Sequence, residues 1–457
     1  MAGRAYDCVV IGSGPGGYVA AIRAAQLGMK TAVVESDLVG GRCLNYACIP
    51  AKAVLRVADV LSEIREAADY GLKVSDPEVD FAAVQARRER VVKTLTGGVS
   101  GLMKKNAIDV IQGHGTLTSD ANVEVGTDGE IETPIVILAT GSVKRPIPHT
   151  SFSSRVIGTE EAWALSELPG RLAVVGAGAS GAEIASAYAR LGSEVLLFEA
   201  LDRVLPTEDA DISKLTERGL RKQGIQIHTA TLVADVVAEE RHVAFSHGEE
   251  RTEVDYLVIA AGRAPDTGDL GLERAGVEVD ASGLVKVDGA QRTSREGVYG
   301  VGDLVPGPAL AHKASDEGVI AAEAAAGLTT HPLSYIDIPR ATFCAPNVAS
   351  FGLTEAQARE QGHDVAVGRL QYGAVGAGTV YGDRTGLIKI VGDRRYGELL
   401  GGHIVGSKST ELIQELVNVR ALEGGYAEVA RIVHGHPTLS EGVMEAARAA
   451  DGWLIHG

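Results

Sequence analysis

Four cysteines in 457 residues are too few for a disulfide framework, which excludes the small secreted scaffolds that depend on one. No apolar run approaches the roughly 20 residues of a membrane span, and the N-terminus lacks the pattern of a signal peptide, so an intracellular, cytoplasmic protein is expected. A surplus of basic charge is missing as well. Lys and Arg number 43 against 60 Asp and Glu, a net charge of −17, which repels nucleic acid and anionic membrane alike. Small molecules and protein partners remain. What is plentiful is glycine, 57 residues beside 45% hydrophobic content, a balance that suits a loop-rich α/β protein. The length implies about three or four domains.

The glycines are organised as an internal repeat. An offset of 164 residues carries Gly12, Gly14 and Gly17 onto Gly176, Gly178 and Gly181, Leu27-Gly28 onto Leu191-Gly192, and Glu35 onto Glu199. A whole strand, turn, helix, strand unit therefore occurs twice. Tyr6 to Ile11 and Leu172 to Val175 read as buried parallel strands, and the helices that follow end at Gly28 and Gly192, the glycine expected beyond a helix C-terminus. In each unit the first glycine permits a tight turn, the second lets the backbone approach a pyrophosphate, and the third lets helix and strand pack closely. The helix N-terminus then receives the anion. Glu35 and Glu199, each 23 residues past the first glycine of its repeat, are placed to accept hydrogen bonds from ribose hydroxyls. A carboxylate at 199 would repel a 2′-phosphate, which favours NAD over NADP. Arg203, four residues on, reads either as a solvated loop charge or as a cation tolerating some NADP.

Cys43 and Cys48 follow, Cys43 eight residues after Glu35, which sets a dithiol beside a bound dinucleotide. Five steps of about 1.5 Å along a regular helix leave two Cα atoms too far apart for a relaxed disulfide. A bridge between them needs a distorted turn. Pro50 supplies one cause, since it has no N–H for the carbonyl of Tyr46 and its ring crowds that carbonyl. The pair reads as a reversible redox disulfide. Cys8 and Cys344 lie in strand-like segments and read as small buried hydrophobes.

Thiol exchange also needs a proton acceptor, and a histidine, with an ordinary pKa near about 6.5, can serve as one. His436 is the candidate, with Glu441 five residues later to orient the imidazole. Thr438-Leu-Ser-Glu441 equally reads as a capping box opening a helix toward Trp453. Both roles are compatible, one carboxylate oxygen serving each. His434 has no Cys, His or carboxylate set at zinc spacing around it and reads as structural, so no metal site is expected.

These segments, with Ile11 to Gly28, Ala139-Thr-Gly141, Gly262-Arg263, Gly300-Val-Gly-Asp303, Leu310-Ala-His-Lys-Ala314 and His436-Pro-Thr-Leu-Ser-Glu441, resemble the class I pyridine nucleotide-disulfide oxidoreductases along essentially the whole chain. The resemblance implies two Rossmann-like dinucleotide-binding domains and a C-terminal α+β dimerisation domain: FAD-binding 1–145, NAD-binding 146–268, a central domain 269–336 completing the FAD site, and an interface domain 337–457. It places FAD on the first repeat, with Gly12, Gly14, Gly17, Glu35, Lys52, Thr140, Gly141, Asp303 and Ala311 around it. NAD falls on the second repeat, with Gly176, Gly178, Gly181, Glu183, Glu199 and Gly262. Cys43 would be the interchange thiol and Cys48 the thiol facing the flavin. Lys52, one helical turn after Cys48, would present a cation to the isoalloxazine and pair with Glu183. Asp303, taken as the end of a strand, would bind the ribityl chain. The helix opening near Ala311 would stabilise the reduced ring with its positive end, His312 being a packing residue.

The resemblance is strongest to members that oxidise protein-bound dihydrolipoyl groups and reduce NAD to NADH. It implies a homodimer in which the His436–Glu441 pair enters the active site from the other subunit, with a lipoyl-bearing protein as partner. Electrons would pass from dithiol to FAD and then to NAD. Arg42 stands where threonine is usual, Ala47 where glycine, Ala51 where serine, and Gly406-Ser-Lys408-Ser-Thr410 replaces a more apolar segment, which leaves the disulfide partner open. The alternatives are a reductase of another small disulfide or metal ion, or a nucleotide-binding subunit without turnover. No cysteine follows Cys344, unlike mercuric reductases. Glu199 opposes a glutathione-type, NADP-using enzyme, and both redox cysteines are retained, unlike soluble transhydrogenases.

Overall fold

The computed structural model describes residues 4–126 and 129–457, which divide into two compact units. Unit 1 holds the described residues up to Ala53, Ala83–Arg145 and Gly262–Tyr335; unit 2 holds Val54–Ala82, Pro146–Ala261 and Ile336–Gly457.

In unit 1, β1 (Cys8–Ile11), α1 (Pro15–Gln26) and β2 (Thr31–Glu35) form the first glycine-rich unit. Both strands are buried at every position, as a parallel strand covered on both faces must be. The strand of the first repeat begins at Cys8 rather than Tyr6, whose N–H turns to the carbonyl of Glu132. Two helices follow, α2 (Gly41–Asn45) and α3 (Cys48–Arg65). Farther on come β3 (Asp109–Gln112) and β4 (Val136–Leu138).

Unit 2 repeats the scheme. Its strands are β5 (Val156–Gly158), β6 (Arg171–Val175), β7 (Glu194–Phe198), β8 (Gln226–His228) and β9 (Tyr256–Ile259), with α4 (Ala179–Leu191) between β6 and β7. They form a parallel sheet in the order β5-β9-β6-β7-β8. The helix of the second repeat starts at Ala179 and that of the first at Pro15, the same 164-residue offset that relates the glycines.

The chain then returns to unit 1 with β10 (Val298–Gly300) and α5 (Ala311–Ala325). This completes a parallel sheet in the order β10-β4-β1-β2-β3. Asp303 does not end the strand as expected; it sits in the turn of 3-10 helix at Gly302–Leu304, because Gly302 takes a left-handed φ of 85° that no strand continues through. Helix α5 lies along α1 in the same direction. Ser315 reaches the carbonyl of Pro15 and Arg23 pairs with Glu323 at 2.6 Å. The approach is close because a Cβ on Gly318 would stand 2.4 Å from the carbonyl oxygen of Gly16.

The last part of unit 2 is an antiparallel sheet of β11 (Arg340–Thr342), β12 (Val348–Gly352), β13 (Val365–Gln371), β14 (Leu387–Asp393) and β15 (Glu398–Val405), in the order β11-β12-β15-β14-β13. Helix α6 (Ser440–Ala450) packs on this sheet through Val443, Ala446, Ala447 and Ala450, a spacing that places four apolar side chains on one helical face. Gly368 in β13 permits the contact, since a Cβ there would stand 1.8 Å from the carbonyl oxygen of Ala446. The packed face fixes the N-terminal turn of α6, which carries Glu441. Among the described residues no helix is long and apolar enough to cross a membrane.

The same substitution has opposite effects at two kinds of glycine. A Cβ at Gly17 or Gly181 would meet backbone oxygen at 1.9 or 1.8 Å, so Gly17→Ala and Gly181→Ala are expected to destabilise the fold by about 1–3 kcal/mol. Gly97, within the helix Phe81–Lys105, has nothing within 4 Å of its missing Cβ, and Gly97→Ala is expected to stabilise by about 0.4–1 kcal/mol. Thermal and denaturant unfolding of the three variants checks the signs.

Candidate active site

The two glycine-rich turns have the same local construction. Gly12 and Gly176 take φ of 98° and 101°, and a Cβ on either would strike the carbonyl oxygen of Ala139 or Ala260. Gly14 and Gly178, by contrast, have nothing within 4 Å of a Cβ position. The second glycine of each turn thus faces open space at a helix N-terminus, and a pyrophosphate fits there.

Glu35 and Glu199 are both buried. Glu35 accepts from the Ser13 N–H at 2.8 Å and from the Asp37 N–H at 2.9 Å. Glu199 accepts from the Ala177 N–H at 2.7 Å and the Leu201 N–H at 3.0 Å. Each carboxylate braces its own glycine turn and keeps lone pairs for a ribose. Arg203 is half-buried rather than solvated: one guanidinium nitrogen donates to the Pro206 carbonyl at 3.1 Å, while Nε is buried without a partner.

Ser13, which sequence reading did not single out, ties the first turn to the cysteines. Its hydroxyl bonds Glu35 and accepts from the Gly40 N–H at 3.1 Å. Next to it, a Cβ on Gly41 would stand 2.6 Å from the Cα of Gly14. The start of α2 therefore lies directly on the first glycine turn. Within α2, the Asn45 amide donates to the carbonyls of Val39 and Gly41, and Tyr46 donates to Asp37 at 2.7 Å.

The helix breaks between the two cysteines. Tyr46 leaves helical geometry at φ −130°, and both the Tyr46 and Ala47 N–H groups donate to the Arg42 carbonyl. A new helix starts at Cys48, with Pro50 as its third residue, where the missing N–H has no intrahelical acceptor to lose. The break brings the sulfurs of Cys43 and Cys48 into a hydrogen bond. That bond is the first cause of a Cys43 thiol held well above the ordinary range; burial and the charge of Cys48 add to it, and Lys52 and Arg42 pull the other way. Lys52 lies four residues after Cys48 in α3, on the same face. Cys8 and Cys344 are fully buried, and burial pushes the Cys8 thiol up to about 12.

Asp303 accepts from the Ser142 hydroxyl at 2.6 Å, and Ser142 in turn accepts from Arg263 Nε at 2.8 Å. Thr140 donates to the Asp266 carbonyl at 2.7 Å, and Gly141 and Gly262 take φ of 80° and 117° with open space at the Cβ position. Ala311 is the first residue of α5. In unit 2, Glu183 is buried in α4 and accepts from the Phe343 N–H at 2.9 Å.

The pair near the C-terminus is formed. His436 Nδ1 lies 2.9 Å from Glu441 Oε1, and Glu441 Oε2 accepts from the Thr438 N–H at 2.8 Å. Partial burial alone would push the Glu441 carboxyl up; the Thr438 N–H and the His436 ring hold it below its ordinary value. Only half of the expected capping box exists, because the Thr438 hydroxyl turns to the Gly435 carbonyl and to Ser440. The His436 side chain is 76% exposed, an imidazole presented outward. His434 is instead tucked in against Glu415 and the Ile432 carbonyl.

A dithiol joined to one dinucleotide turn, with a second such turn elsewhere, defines a class, and the chain belongs to it: the family model for pyridine nucleotide-disulphide oxidoreductases matches residues 6–318, and that family's dimerisation domain matches 338–447. The chain is 41% identical to a dihydrolipoyl dehydrogenase of Bacillus subtilis, covering 98% of this chain and 97% of that one. With the dihydrolipoyl dehydrogenase of Mycobacterium leprae it shares 42% identity over 99% of both. Among solved structures it is similar to LpdA from Mycobacterium tuberculosis, with a TM-score of 0.90 and 27% identity over 96% of this chain and 99% of that one. It is likewise similar to the flavoprotein disulfide reductase RclA from Escherichia coli in its Cu(II) complex, with a TM-score of 0.87 and 28% identity over 97% and 99%. The enzyme is accordingly a flavin-dependent disulfide oxidoreductase that uses FAD and NAD, and its dimerisation domain fits a homodimer.

Two sulfurs that share a hydrogen bond titrate as a pair. In the reduced protein, ultraviolet titration is expected to find the two thiols ionising in separate steps, the Cys43 proton staying on well above the ordinary thiol range. Cys48→Ser removes the chief cause of the raised Cys43 value, so Cys43 is expected to ionise at lower pH than in the intact dithiol.

Proposed function

We propose that this enzyme oxidises dihydrolipoyl groups carried on a protein and reduces NAD, through the Cys43–Cys48 pair. The observation that carries the reading is the sulfur–sulfur contact across the helix break, seated on the first dinucleotide turn. Whole-length similarity to dihydrolipoyl dehydrogenases supports the choice of substrate.

In this reading a dihydrolipoyl thiolate attacks Cys43 Sγ of the oxidised pair, the Cys43–Cys48 bond breaks, and Cys48 leaves as thiolate. Lys52, on the Cys48 face of α3, stabilises that charge. His436 of the partner subunit takes the proton of the second dihydrolipoyl thiol, whose sulfur then closes the lipoyl disulfide and displaces Cys43. Glu441 holds the imidazole by Nδ1 and leaves the other ring nitrogen for the substrate proton. Gly12, Gly14, Gly17, Glu35, Thr140, Gly141, Asp303 and Ala311 hold FAD; Gly176, Gly178, Gly181, Glu183, Glu199 and Gly262 serve NAD. When bound, these cofactors supply two-electron transfer from the dithiol to the pyridine ring. The carboxylate of Glu199 favours NAD over its 2′-phosphorylated form.

The test is anaerobic titration of the holoenzyme with dihydrolipoamide and then NAD, following the long-wavelength thiolate-to-flavin absorbance and NADH formation. His436→Gln is expected to keep FAD and to slow reduction by the dithiol about 10²–10⁴-fold. Cys48→Ser loses the long-wavelength band. Normal turnover of dihydrolipoamide by Cys48→Ser would overturn the reading.

A further inference from the structure

The thiol relay makes no use of the most deeply buried charges in unit 1. Lys313 and Glu317, one turn apart on α5, are both fully buried and pair at 3.1 Å. Taking two charges out of water costs several kcal/mol per ion, and a pair of apolar side chains would fill the same volume without that cost. A pair so placed calls for neighbouring groups that need its charges.

Their other bonds give a more specific role. Glu317 Oε2 accepts from the Gly302 N–H at 2.8 Å, and Lys313 Nζ donates to the Gly302 carbonyl at 2.9 Å. Both polar backbone atoms of one glycine are therefore gripped by a single ion pair. Tyr335 completes the group, donating its hydroxyl to Glu317 Oε1 at 2.6 Å. Gly302 rests at a φ of 85°, which glycine adopts readily and other residues rarely do, and the ion pair fixes where that freely turning residue sits. The next residue is Asp303, whose carboxylate is held from the other side by Ser142. Both sides of the turn around Asp303 are thus fixed.

We propose that the Lys313–Glu317 pair, with Tyr335, is a positioning device that sets the Gly302–Asp303 turn for the sugar chain of the flavin cofactor. The proposal rests on the reading of Asp303 as a cofactor ligand. The charges act through the backbone, because Lys313 is spent on Glu317 and Gly302 and reaches no solvent-facing surface. Helix α5 thereby serves twice, once through its N-terminus and once through side chains at its first and second turns.

The experiment compares wild type, Lys313→Met/Glu317→Leu, Asp303→Asn and the combination of all three. FAD dissociation constants of the reconstituted apoprotein, the flavin midpoint potential and apoprotein melting are measured. The apolar pair leaves the Gly302 N–H and carbonyl without these partners, so the apoprotein is expected to fold with a lowered melting temperature, to bind FAD about tenfold to a hundredfold more weakly, and to move the potential in the same direction as Asp303→Asn. The combined variant is expected to lose less than the sum of the two losses, since both act on one contact. An FAD affinity within about twofold of wild type in the folded apolar pair, or additive losses, would overturn the proposal. Should that pair fail to fold, the isosteric Glu317→Gln replaces it, with weakened FAD supporting the proposal and unchanged FAD overturning it. If Asp303→Asn binds FAD as wild type does, the reading of Asp303 falls and takes this one with it. Unchanged binding in the clamp variants alone sinks only the clamp.

Discussion

The chemistry of unit 1 depends on one contact that has no room for a side chain: Gly41, at the head of the cysteine-bearing helix, against Gly14 in the first dinucleotide turn. Ser13 reinforces it by bonding both Glu35 and Gly40. Glycine turn, buried Glu35 and dithiol are consequently joined in one connected piece. A methyl group on Gly41 would push the redox turn off its support on the first glycine turn.

Two interruptions of regular structure then create function. The stop at Tyr46 and the fresh start at Cys48 bring together sulfurs that a continuous helix would hold apart. The left-handed Gly302 follows the strand that stops at Gly300 and leaves the Asp303 carboxylate against the Ser142 hydroxyl. In both places the irregularity is tied down on several sides: by Asn45, Tyr46 and the Arg42 carbonyl in the first, by Lys313, Glu317 and Ser142 in the second. Rigidity at a distorted position is what preorganisation means in physical terms.

Much of this was legible in the chain itself. The 164-residue repeat predicts two parallel sheets because glycine spacing, buried strands and acidic ends recur together, and both sheets are present. The His436–Glu441 bond could be read because five residues separate the partners. Less legible were contacts made across long stretches of sequence. Ser13 to Gly40 and Gly41 to Gly14 depend on how the turn folds back, and a serine inside a glycine motif carries no mark of it. Lys313 and Glu317 are one turn apart, a visible signal, yet nothing local tells that both are buried or that Gly302 is their target. Asp303 reads as the strand's last residue because the handedness of Gly302 does not show in its name. The capping box holds only by half, since the Thr438 hydroxyl has two nearer partners.

The parallel pairing of α1 with α5 bears on how the protein comes to exist. Arg23 and Glu323, which clasp the two helices, are separated by 300 positions. A chain emerging from the ribosome exposes its first glycine turn long before the helix that covers α1 has been made, and closing so long a loop is slow. The covering helix arrives only with Ala311–Ala325, so the early segment must wait for a companion written much later in the message.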